Sequence, residues 1–140
     1  EGTSPRIYGG QAEGCSPVAS AFSEDRPVSP VRPATLAQSL AIGNPADGDL
    51  AVATAKASGG TIHAVDEDEV GENMALLAET TGVFGETAAG VTLGALRRAV
   101  ASGALGERDT VVSGAEGRAA LALALRVTAA IAPPVVRPVA

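Results

Sequence analysis

The chain has 140 residues, 46% of them apolar and 19% charged, which excludes a disordered chain and fits about one domain at roughly 150 residues each. Seventeen Gly and nine Pro are too many for a helix bundle, and with two Phe, one Tyr and no Trp the core must come from Ala, Val, Leu and Ile. A net charge of −6 argues against nucleic acid as a partner, because phosphate neutralisation needs clustered Lys and Arg.

In chain order, residues 6–12 (RIYGGQA) predict a short buried strand, with Gly9-Gly10 open to close approach by another backbone. Residues 14–22 predict a short helix with Ser16 as cap and Pro17 at its first position. Three prolines make residues 23–33 an exposed loop, and its length suits a functional or mobile segment. The apolar stretch 34–42 (ATLAQSLAI) leads into a GNPADG turn at 43–48, then a helix to Ser58 that Gly59-Gly60 stops. Residues 61–65 (TIHAV) predict a strand. Residues 66–80 predict the best helix, with Asp66 and Glu69 spaced as a capping box and Val65 and Val70 as a hydrophobic staple. Val70, Met74 and Leu77 lie on one face of it. After the GETAAG string at 85–90 a further helix runs to about Ser102, with Leu93, Leu96 and Val100 on one stripe and Gly103 as C-cap. Residues 109–112 predict a third strand and 114–117 a turn.

Strands alternating with helices imply βα units and a parallel sheet. Three strands leave edges that a larger domain would cover, so the pattern reads as part of a domain. The start at Glu1 rather than Met, with no secretory signal in view, gives the same expectation. The most apolar stretch, 119–136, is broken by Arg126 and the Pro133-Pro134 pair and makes a poor membrane span.

Titratable groups for chemistry are few. Cys15 is the single cysteine, which excludes a disulfide framework or a multi-Cys metal site and fits a reducing compartment. It reads as a small buried side chain. His63 is the one histidine and alternates with Ile62 and Ala64 on a strand, which suits a structural or surface role over a catalytic one. Lys56 is the one lysine and reads as a solvated helix residue, so lysine chemistry must use it or come from another chain. The DEDE run at 66–69 is a helix start before it is a metal site. No metal ligands are assigned.

Four segments, in order, resemble the threonine synthase family: PRIYGGQAEGCSPVASAF (5–22), RPATLAQSLAIGNPADG (32–48), SGGTIHAVDEDEV (58–70) and TTGVFGETAAGVTLGAL (80–96), followed by the DTVV strand at 109–112. The SLAIGNP string together with TGVFGETAAGVT is the specific signal. The resemblance implies an α/β fold with a partial parallel sheet and flanking helices, the C-terminal part of a fold-type-II (tryptophan-synthase-β-like) pyridoxal-phosphate enzyme. It implies pyridoxal 5'-phosphate as cofactor and a lyase of threonine biosynthesis that converts O-phosphohomoserine and water to threonine and phosphate. A cytoplasmic location follows, with a small amino-acid substrate, neither nucleic acid nor membrane as partner, and room for a homodimer in the complete enzyme. Residues 1–118 then belong to the large cofactor-binding domain, and 119–140 form a divergent Ala/Leu/Pro-rich tail.

By the same resemblance Ala41, Ile42 and Asn44 line the cofactor pocket, Glu86 borders it, and Ser113, in the Ser113-Gly114 pair, faces the pyridine nitrogen. The plainer readings are a Gly-Asn-Pro turn, a helix-start acid next to Thr87, and a turn serine. The family's Schiff-base lysine, the Asn beside it and its phosphate-cradling glycine loop lie before the matched stretch. No catalytic residue is therefore assigned here, and the chain alone is expected to be inactive. The sequence departs from the family after Val112. Two alternatives stand beside this reading: a threonine dehydratase-like or other amino-acid lyase of the same fold, and a non-catalytic degenerate module.

Overall fold

A computed structural model describes residues 5–105. Two strands, β1 (Tyr8–Ala12) and β2 (Thr61–Val65), pair in parallel with Tyr8 opposite Thr61 and Ala12 opposite Val65. Between them the chain forms a 3-10 turn (Glu13–Cys15), α1 (Pro17–Glu24), a second 3-10 turn (Gln38–Leu40) and α2 (Gly48–Ser58). After β2 come α3 (Glu67–Thr81) and α4 (Thr87–Ala101). The expected α/β architecture is present. The third predicted strand, at 109–112, lies outside the described residues.

Side chains of a strand alternate between faces, and the register shows which helices each face takes. Ile62 and Ala64 turn to α1 and α2, where they meet Val18, Ala19, Ala21, Val52 and Ala55. Ala12 and Val65 turn the other way, to Val70 of α3 and Val91 and Ala95 of α4. The sheet is thus a middle layer between two helical layers, as a parallel sheet requires. Gly10 shows why a strand residue here has no side chain. A Cβ on it would lie 2.8 Å from Ala95 Cβ and 3.2 Å from the Val91 carbonyl oxygen. The close approach expected at Gly9-Gly10 is therefore made by α4 at Gly10.

Several local expectations need correction. Helix α4 begins at Thr87, beside the helix-start acid Glu86 and within the GETAAG string instead of after it, and Gly90 sits inside it, buried against Val70 of α3. Its buried positions are Gly90, Val91, Gly94, Ala95 and Ala99, whereas Leu93 and Leu96 are half-buried and Val100 is 51% exposed. Small side chains let α4 sit close on both the sheet and α3, so the buried stripe is not the leucine stripe. At α1, Ser16 makes no cap and donates instead to the Glu13 carbonyl. The cap comes from Gln11 of β1, whose Oε1 accepts from the Val18 and Ala19 N–H groups at 2.8 and 3.0 Å. At α3, Asp66 is the N-cap residue by backbone, but no capping box forms. Asp66 and Glu69 both hold Arg98 of α4, at 3.1 and 2.9 Å. No described helix is long and apolar enough to cross a membrane.

Candidate cofactor site

Ligands of open parallel sheets bind beyond the carboxyl ends of the strands. Here those ends are Ala12 of β1 and Val65 of β2. The segments that leave the two strands shape the site. After β1 the backbone turns through Gly14, whose carbonyl accepts from the Ala34 N–H at 2.8 Å. After β2 comes Glu67, in the first turn of α3. Its Oε1 accepts from the Gly14 N–H at 2.9 Å, and its Oε2 accepts from the Thr35 hydroxyl at 3.0 Å and the Leu36 N–H at 2.9 Å. One carboxylate thereby fastens the 34–36 segment across both strand ends.

From that anchor the segment runs over the α4 side of the sheet. The Thr35 oxygen accepts from the N–H of Ala37, which is fully buried with Ala12, Val65 and Val91. Leu40 packs against the same cluster, as does Met74 of α3. The Val31 N–H donates to the Gly43 carbonyl at 2.9 Å and closes the loop at its far end. Ala41 and Ile42 lie between the two anchors. Ala41 is half-buried, Asn44 is exposed, and Ile42 is 60% exposed, unusual for so apolar a side chain.

Glu86 is the N-cap residue of α4 and is exposed, and its side chain caps nothing. The 38–40 turn packs on this same helix. The structure thus brings the turn just before Ala41 and Ile42 onto the helix that Glu86 opens. Ser113 lies outside the described residues. A groove of about 300 Å³ does exist, lined by Ile7, Gly9, Leu50, Ala51, Thr54 and Ile62 among others. It belongs to the α2 face of the sheet and includes none of the predicted site residues.

The electrostatics follow from these contacts. Burial works against the charge on Glu67, but the hydrogen bonds from Leu36, Thr35 and Gly14 outweigh it and hold the carboxyl below the usual range. Burial pushes the Cys15 thiol up, and the Glu67 charge pushes it further, so the buried cysteine is a poor nucleophile. His63 is pushed down, first by burial and then by the Arg98 charge. Its Nε2 lies 2.8 Å from the Thr61 hydroxyl, a structural pairing. Lys56 is on the exposed side of α2, in an ion pair with Asp25 and over the Phe22 ring.

Sequence reasoning missed Glu67, reading it only as a first-turn acid. It also missed Gln11, read as one residue of a buried strand. Both act on partners outside their own element, and no spacing rule reports such a contact.

The chain belongs to the pyridoxal-phosphate dependent enzyme family, which matches residues 1–117. It is similar to the threonine synthase of Bacillus sp. (strain ULM1), 35% identical over 78% of this chain and 29% of the relative. It is likewise similar to the threonine synthase of Synechocystis, 37% identical over 79% of this chain and 25% of the relative. With the threonine synthase of Methanosarcina acetivorans the figures are 34%, 77% and 27%. The chain thus spans little more than a quarter of the length of the curated relatives it matches.

The described residues suit one part of this cofactor. An aromatic ring needs an apolar wall, and the exposed Ile42 side chain, next to the half-buried Ala41, is apolar surface of that kind. The cofactor phosphate and its anchoring amine need cations or a cradle of N–H groups. Lys56, the only lysine in the sequence, is on another face and paired with Asp25.

Proposed function

We propose that this chain supplies one wall of the pyridoxal-phosphate cleft of a threonine synthase-type lyase, which converts O-phosphohomoserine and water to threonine and phosphate. The observation that carries this reading is the course of segment 35–40, which leads into 41–44: it is pinned beyond the carboxyl ends of both strands and laid against α4. When bound, the cofactor supplies an electron sink for carbanion chemistry at the amino acid. Ala41 and Ile42 face its ring and exclude water, Asn44 lines the pocket, and Glu86 borders it at the start of α4. By the resemblance, Ser113 would be the hydroxyl donor to the pyridine nitrogen. Such a neutral hydroxyl donor suits a ring nitrogen that carries no proton.

On this reading residues 1–118 are the C-terminal part of the large cofactor domain, a division supported by the family match ending at residue 117. Residues 119–140 are then a divergent tail. The lysine that carries the cofactor, and its phosphate cradle, belong to the N-terminal part of the enzyme, and these 140 residues alone do not turn over. The single Cys15, free and buried, suits a reducing cytoplasm.

The test is titration of the 140-residue chain with pyridoxal phosphate. The expected result is movement of the amide resonances of Ile42, Asn44 and Thr87, with no lysine-dependent visible absorption. A visible band abolished by Lys56→Ala would overturn the assignment, as would resonance shifts confined to the groove of Ile7, Leu50 and Ile62. Adding the polypeptide that carries the lysine should then restore phosphate release from O-phosphohomoserine. Release of ammonia from threonine instead would favour a dehydratase-type lyase.

A further inference from the structure

We infer that Glu67 is the positioning residue of this cofactor wall: its two carboxylate oxygens set the course of segment 35–44 and so the placement of Ala41, Ile42 and Asn44. What the segment faces rests on the reading proposed above. How the segment is held does not.

The contacts divide between the two oxygens. Oε1 serves Gly14, after β1, and Oε2 serves Thr35 and Leu36. All three donors are neutral N–H or O–H groups, so the carboxylate is held as an acceptor and not as half of an ion pair. The Thr35 oxygen passes the restraint on to Ala37 at 3.0 Å, and Ala37 is fully buried. Successive turns then carry it along the loop, from the Ala41 N–H to the Gln38 carbonyl and from the Ile42 N–H to the Leu40 carbonyl. Residues 33–46 contain no ionisable side chain, and among the described residues Glu67 is the charged group whose hydrogen bonds to the loop are seen.

Among the described residues the surroundings leave that role to Glu67. The titratable groups of the 3-10 turn after β1 are the buried Cys15 thiol, which feels the Glu67 charge, and the exposed Glu13. On its own helix Asp66 is engaged by Arg98, and Asp68 is exposed. On α4, Arg97 donates to Asn73, and Arg98 reaches Asp66 and Glu69. A glutamine at 67 would have one acceptor oxygen. It could serve Gly14 or the Thr35–Leu36 pair, but it would turn an NH2 donor toward the other.

The test uses amide protection factors across the 140-residue chain. Glu67→Gln should lower protection at the hydrogen-bonded amides of Leu36, Ala37, Leu40, Ala41 and Ile42 by about tenfold or more, as expected for loss of hydrogen bonds to a charged group. Protection at Val65 and Val91 should persist. Glu72→Gln, an exposed acid on the same helix, should change nothing in the loop. In the wild type, loop protection should fall in one step as Glu67 takes up its proton, and Glu67→Gln should abolish that step, which a purely steric role would not predict. Should Glu67→Gln fail to fold, Thr35→Val removes one donor and keeps the charge. It should loosen Leu36 and Ala37 while preserving the acid step. Unchanged loop protection in a folded Glu67→Gln chain, or in Thr35→Val, overturns the inference. If the loop loosens as stated but pyridoxal phosphate moves neither Ile42 nor Asn44, the positioning stands and the cofactor reading falls.

Discussion

Arg98 of α4 lies 2.9 Å from the Glu69 carboxylate of α3, and the same Nη2 lies 3.1 Å from Asp66. The two acids spaced as a capping box are thus a clamp between helices. Their charges raise the Arg98 pKa, the Glu69 hydrogen bond most of all, and burial partly opposes it. A glutamine is as good as glutamate in a capping box but cannot replace an ion-pair partner. Glu69→Gln should therefore lower stability, and a double-mutant cycle with Arg98→Gln should give a coupling of about 0.5–1 kcal/mol, because the pair is partly exposed. Urea unfolding at low and high salt checks this. Zero coupling, insensitive to salt, would return Glu69 to a local role.

Gln11 should matter to α1 and Ser16 should not. The Gln11 oxygen satisfies two N–H groups at the start of α1, whereas Ser16 caps none. Gln11→Leu should cost about 1–2 kcal/mol, the upper range for loss of a helix cap. Ser16→Ala should cost less than about 0.5 kcal/mol. Equilibrium denaturation of the two variants reads the contrast. Equal costs would contradict it.

Gly14 admits no side chain. A Cβ there would lie 2.0 Å from the Ala34 carbonyl oxygen and 2.8 Å from Glu67 Oε1. Backbone cannot swing aside as a side-chain end can, so Gly14→Ala should destabilise by about 1–3 kcal/mol, the range for overpacking. It should also loosen the 34–36 segment more than α2. Hydrogen exchange resolved along the chain checks both effects, and a neutral Gly14→Ala would show that the loop can lift off the strand end.

Stability should fall as pH is lowered from 7 to 5 because of His63. Burial and the Arg98 charge depress its folded pKa below the ordinary 6.5. The unfolded chain therefore takes up the proton first. Its contribution is fully present above about pH 6.5 and is lost as pH falls from there through the lower folded value. His63→Gln should flatten the stability profile over that window. Thermal unfolding at half-unit pH steps makes the comparison, and identical slopes in the two proteins would remove His63 as the cause.

Much of the local structure was legible along the chain, because its signals are local. The strand at 61–65 has the predicted bounds, and the helix predicted at 66–80 is found at Glu67–Thr81. Three charged residues at its start and an apolar face supply the reason. The close approach at Gly10 could likewise be read from a paired glycine in a strand. The face of α4 could not. Leucine periodicity pointed to Leu93, Leu96 and Val100, but distance to the sheet was limiting, so Gly90, Gly94, Ala95 and Ala99 went inside.

By itself the sequence determined the α/β class, the order of the elements and, through its SLAIGNP and TGVFGETAAGVT strings, the kinship with a cofactor-dependent family. Only the tertiary structure decided that Glu67 ties Gly14 to Thr35 and Leu36, that Gln11 caps α1, and that Arg98 gathers Asp66 and Glu69. The physical reason is range. Propensity and periodicity act over a few residues and leave a mark in spacing, whereas a hydrogen bond across 53 residues exists only after the strands have paired and brought their ends together.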